Sequence, residues 1–145
     1  MNVVYSITAA PAGALSDRID RRRLLMAGLA VLILADAVLS RLASTAGVLL
    51  GVGLWGLHMG LTQGILVTLV ADAAPERMRG TAFGIFSLAT GVTLLAASVL
   101  AGWLWTAYGA SATFAAGGAF AFTAAIGLAA LIRRPAQDQS SIGSP

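Results

Sequence analysis

The sequence contains no cysteine and no lysine, and it has one histidine in 145 residues. Without cysteine there is no disulfide framework, no thiolate metal site and no cysteine nucleophile. A single histidine excludes a multi-histidine metal centre. Charge is scarce as well: nine arginines and six acidic residues make up 10% of the chain, against roughly 25% in an ordinary soluble domain. So few charges leave a soluble fold too little polar surface. A hydrophobic fraction of 58% and a mean hydropathy of +0.86 exclude disorder. Short alternating segments, which a transmembrane β-barrel requires, are missing too. What is present is an all-α integral membrane protein.

The charges are clustered, so the charge-free runs can be read directly as 1–16, 24–35, 42–71 and 80–132. One crossing takes about 20 apolar residues. The last run is long enough for two, and it is divided by a stretch with Trp103, Trp105, Tyr108 and Gly109, residues that favour a turn at a membrane face. Ala43 to Gly47 reads as a second turn. The result is a four-helix transmembrane region over 24–132, with crossings at 24–42, 47–70, 81–105 and 111–132. Residues 1–13 are apolar but reach only about 20 Å as a helix, short of the roughly 30 Å hydrocarbon layer. They read as a truncated transmembrane helix, and the chain as a fragment.

Threading those crossings puts Arg18, Arg21, Arg22, Arg23, Arg77, Arg79, Arg133 and Arg134 on one side and leaves Arg41 on the other. Basic residues in short loops stay cytoplasmic. The loops at 14–23 and 71–80 are then cytoplasmic, and so is the polar, Ser-rich tail 133–145, which is expected to be disordered. The net charge of +3 needs no nucleic acid to explain it. Membrane lipid is the expected contact of these arginines.

Two loops carry the strongest pattern. Gly13-Ala-Leu15-Ser-Asp17-Arg18-Ile-Asp20-Arg21-Arg22 closes one helix and opens the next with little slack. Asp17 lies near the start of the helix that follows, where an anion is favoured. The loop resembles the motif of the major facilitator superfamily, Gly-x-Leu-x-Asp-Arg-x-Gly-Arg-Arg, except that Asp20 stands where the family has glycine. The second loop, Ala71-Asp72-Ala-Ala-Pro75-Glu76-Arg77-Met-Arg79-Gly80, is similar to the family's connection before its eleventh helix. Pro75 and Glu76 suit a first helical turn. Together the two loops resemble late helix eight through helix twelve, a partial major facilitator half.

The crossing at 47–70 places Gly53, Gly56, Gly60 and Gly64 on one stripe at 100° per residue. Trp55, His58, Met59 and Thr62 fall on the opposite stripe, with Gln63 at its border. The glycine stripe suits close helix packing. Polar groups at mid-span should face protein or a water-filled cavity. The resemblance makes this the tenth helix, which lines the family's central cavity, so Trp55, His58, Thr62 and Gln63 are the candidate substrate pathway. Interhelical hydrogen bonding by His58 and Gln63 is an equal alternative. Asp36 is a candidate for ion coupling, since a carboxylate in a membrane helix is costly. The peripheral place of the ninth helix in the family and the nearness of Arg41 favour a structural polar contact instead.

The resemblance implies a secondary transporter of a small molecule in the plasma membrane, multi-pass, with a cytoplasmic C-terminus. Gly13, Asp17, Arg18, Arg21 and Arg22 would form its gating loop, and Pro75, Arg79 and Gly80 its second cytoplasmic loop. The missing N-terminal helices are the implied partners, and no cofactor is implied. No catalytic constellation is present, so an enzyme is not expected. The other readings are a non-transporting remnant and a small standalone membrane assembly protein. Arginine in place of lysine, with abundant alanine, points to a GC-rich bacterial source.

Overall fold

Residues 2–16, 19–42 and 44–132 are described by a computed structural model of the chain. All regular structure among them is helical: α1 (Asn2–Ser16), α2 (Arg21–Arg41), α3 (Thr45–Ala73) and α4 (Arg79–Ile132), with a 3-10 turn at Glu76–Met78. The chain is therefore an all-α polytopic membrane bundle. α2, α3 and the stretch containing α4 are each long and apolar enough to cross a membrane. Asp17, Arg18 and the tail 133–145 lie outside the described residues.

Short polar side chains set the helix starts. Asp20 caps α2: its carboxylate accepts the N–H of Arg22 at 2.9 Å, and its carbonyl accepts the N–H of Arg23 at 2.9 Å. This satisfies donors that have no partner inside the helix. The glycine of the family motif is thus replaced by a capping residue, and Asp20 holds the cap at the helix start where Asp17 is the expected anion. Ser44 does the same for α3, accepting the N–H of Gly47 at 3.1 Å. Ala74 is extended, as the residue before Pro75 should be.

Residue pairings give the helix directions. Leu39 meets Gly51, and Gly28 meets Thr62, so α2 and α3 run antiparallel. Thr8 of α1 meets Gly60, and Val4 lies beside Leu49 to Leu57, so α1 and α3 run parallel. The 54 residues of α4 would reach about 80 Å as one straight helix. They do not continue straight, because Gly109 stands at φ 83°, ψ 177° inside α4. This conformation is open essentially to glycine alone. Residues 79–108 (α4a) leave from beside the start of α2. Residues 110–132 (α4b) return antiparallel to α2, with Ser111 at Ser40 and Gly117 at Asp36. Trp105 and Phe114, which flank the reversal, meet edge to face at 6.1 Å.

The surface is apolar. Leu24, Ala35, Ile65 and Ala121 are the buried hydrophobic residues, while Leu88, Val92, Leu95 and Val99 of α4a are at least 61% exposed. Exposed apolar area of that extent has a place in lipid or against other helices, not in water. Most threonine hydroxyls are satisfied inside their own helices, for example Thr93 on the carbonyl of Ala89 at 2.8 Å and Thr123 on that of Ala119 at 2.9 Å. Hydrocarbon requires such internal satisfaction.

Candidate functional site

Polar groups gather at three levels of the bundle. At the first, the guanidinium of Arg21 pairs with the carboxylate of Asp72, 51 positions away. Arg21 opens α2 and Asp72 lies in the last turn of α3, so the pair ties the two helix ends together. Arg79 and Glu76 approach at 4.0 Å beside it. Pro75 accepts the N–H of Met78 at 2.8 Å and so shapes the turn into α4, while the Cα of Gly80 faces open space. Arg22 is exposed, with its N–H on Asp20. Gly13 lies within α1.

At mid-bundle, His58 Nδ1 lies 2.8 Å from the carbonyl of Gly28. Thr62 is 7% exposed; its hydroxyl donates to the carbonyl of His58 at 2.9 Å, and its methyl packs on Gly28. These two members of the candidate pathway are therefore engaged between α2 and α3. Gln63 is exposed, and Trp55 is 39% exposed. The glycine stripe divides: Gly60 packs on Thr8, whereas Gly53 and Gly64 face open space.

At the third level, Asp36 is 4% exposed. The side chain of Trp55 of α3 approaches it. Gly117 and Gly118 of α4b leave room for it: a Cβ on Gly117 would come within 3.0 Å of Oδ2. Three helices thus converge on one carboxylate. Among the described residues the ion pairs are Arg21–Asp72 and Arg79–Glu76, so Arg41 does not pair with Asp36. Neither Trp55 nor the two glycines could be assigned to Asp36 from sequence, because the contact depends on register between separate helices.

Arg21 and Asp72 keep 35% and 59% side-chain exposure, so the pair contributes below about 1 kcal/mol. Arg21→Asp alone is expected to lower the stability of the chain in detergent slightly. Adding Asp72→Arg should restore it, and high salt should erase the difference. A double-mutant cycle on thermal unfolding checks this; no restoration by the swap means that the pair does not form.

These helices, with apolar exteriors and polar groups facing one another, define a multi-pass membrane protein. The chain belongs to the Major Facilitator Superfamily, which it matches over residues 1–144. It is 34% identical over 104 residues to an uncharacterised MFS-type transporter of Methanocaldococcus jannaschii, covering 72% of this chain and 26% of that protein. Similarity to the inner membrane transport protein YajR of Escherichia coli is 33% over 101 residues, covering 67% of this chain and 22% of YajR. An uncharacterised MFS-type transporter of Bacillus subtilis, YwfA, is 33% identical over 101 residues, 69% of this chain and 24% of its own. The chain thus spans about a quarter of the length of these relatives. No solved structure matches it significantly.

Proposed function

We propose that the chain forms the C-terminal part of a secondary transporter that moves a small molecule across the plasma membrane by alternating access. The family match over residues 1–144 carries this reading. In such transporters two helical halves rock about a site near the midplane. The loop at 14–23 and the tail then lie in the cytoplasm. Arg21 braces the start of α2 on the end of α3, while Gly13, Asp17, Arg18 and Arg22 serve the gating contact with the other half. Gln63, the exposed residue at the border of the polar stripe, meets the solute. His58 and Thr62 fix α3 to α2 and keep that wall rigid. Asp36 acts as a structural polar contact among α2, α3 and α4b.

Two measurements test the reading. The chain has no cysteine, so Arg22→Cys and Ala107→Cys label without background. An impermeant maleimide on intact cells should reach position 107 and not position 22, and the reverse overturns the orientation. Purified chain in lipid vesicles should move no solute alone, because half a cavity cannot alternate. Solute movement by these 145 residues would overturn the two-half mechanism.

A further inference from the structure

A cavity of about 680 Å³ opens at the Ser40 end of the bundle, where α2, α3 and the Gly109 reversal meet. Its size falls within the roughly 300–1,000 Å³ typical of small-molecule sites. Leu39, Val52, Trp55, Trp105 and Phe114 form its apolar wall, and Arg41 is the charged residue at its edge. The two serines in the lining are already engaged: Ser40 donates to the carbonyl of Ala37 at 3.0 Å, and Ser111 donates to the carbonyl of Ser40. Both serine protons are thus engaged, which leaves the guanidinium of Arg41 as the strong donor in the lining. Arg41 makes no ion pair with the carboxylates of the described residues. Arg41, Leu42, Val48 and Trp55 of the lining are exposed, so the cavity opens at the surface of the bundle.

We propose that this cavity binds an anionic phospholipid, its acyl chain between the aromatic rings and its phosphate on Arg41. One cation above an apolar, aromatic wall is complementary to an amphiphile with one anionic head. Tryptophan is at home at headgroup depth, and a guanidinium pairs well with phosphate oxygens. The competing role for Arg41 is to complement the dipole at the C-terminus of α2. That role makes no distinction between lipids.

The experiment uses the chain in nanodiscs of phosphatidylcholine doped with brominated phosphatidylglycerol, which quenches nearby tryptophan. Trp103→Phe leaves Trp55 and Trp105 as reporters. Their emission should fall saturably at low phosphatidylglycerol content, whereas brominated phosphatidylcholine should quench only in proportion to its share. A Trp55→Phe/Trp105→Phe chain, reporting from Trp103, should show the proportional response to both lipids. Arg41→Gln should weaken the saturable phase about fivefold, the effect of one basic residue near a lipid surface. Arg41→Lys should keep most of it, and circular dichroism should show both variants equally helical. Equal quenching by the two lipids overturns the proposal, as does an unchanged response in Arg41→Gln. So does the absence of quenching by either lipid, the result if a second copy or another helix covers the cavity.

Discussion

Gly109→Val is expected to be among the most damaging single substitutions in the chain. Gly109 holds φ 83°, ψ 177°, a region in which a Cβ is strained, at a cost of about 1–3 kcal/mol. A β-branched residue lies at the upper end of that range. The strain falls where the chain reverses, so it can be relieved only by re-aiming α4b, and α4b carries Gly117 and Gly118 onto Asp36. Loss at the turn therefore spreads to the α2 contact. Gly102→Ala is the control. Gly102 is also in α4 and faces open space, but it is helical, so alanine there should be neutral or stabilising by up to about 1 kcal/mol. Unfolding in mixed micelles with increasing dodecyl sulfate compares the two. Equal effects of Gly102→Ala and Gly109→Ala would show that the reversal is not at Gly109.

The second large effect is expected at Gly28. A Cβ there would overlap the Thr62 methyl, while His58 Nδ1 and the Leu61 Cβ, each 3.7 Å away, would make ordinary contacts. Gly28 also supplies the carbonyl that His58 holds at 2.8 Å. Gly28→Ala must displace the Thr62 side chain or the helix that carries it, an overpacking cost of about 1–3 kcal/mol. Thr62→Ser removes the offending methyl and keeps the hydroxyl that bonds the carbonyl of His58. The double variant Gly28→Ala/Thr62→Ser should therefore recover most of the loss. Contacting residues couple in this way, and distant ones add. If the two losses simply add in the same micelle titration, α2 and α3 do not meet at this point.

The all-α membrane bundle was legible because charge is so unevenly distributed: long stretches without arginine or carboxylate admit few other structures. Ser44 and Gly109 were legible as places where a helix ends or turns, since their residue types suit caps and reversals. Partner choice was not. Arg21 on Asp72, His58 on Gly28 and Trp55 beside Asp36 each depend on the axial register of two helices. A residue's own neighbours carry no record of that register. Arg41, five positions from Asp36, looked the natural counter-charge, yet the two form no ion pair among the described residues. The single glycine stripe of α3 was misleading for a related reason. A helix held between two neighbours uses two faces, so Gly60 serves α1, Gly51 serves α2, and Gly53 serves neither.

Asp20 and Arg41 stand at the two ends of one rod. A helix of 21 residues is about 30 Å long, the thickness of the hydrocarbon layer. Its bearing toward α3 is set by contacts along its length, Leu39 on Gly51 and Thr62 on Gly28, while the Asp20 carboxylate closes its first turn. Any tilt of that rod therefore moves the capping anion and the far cation together.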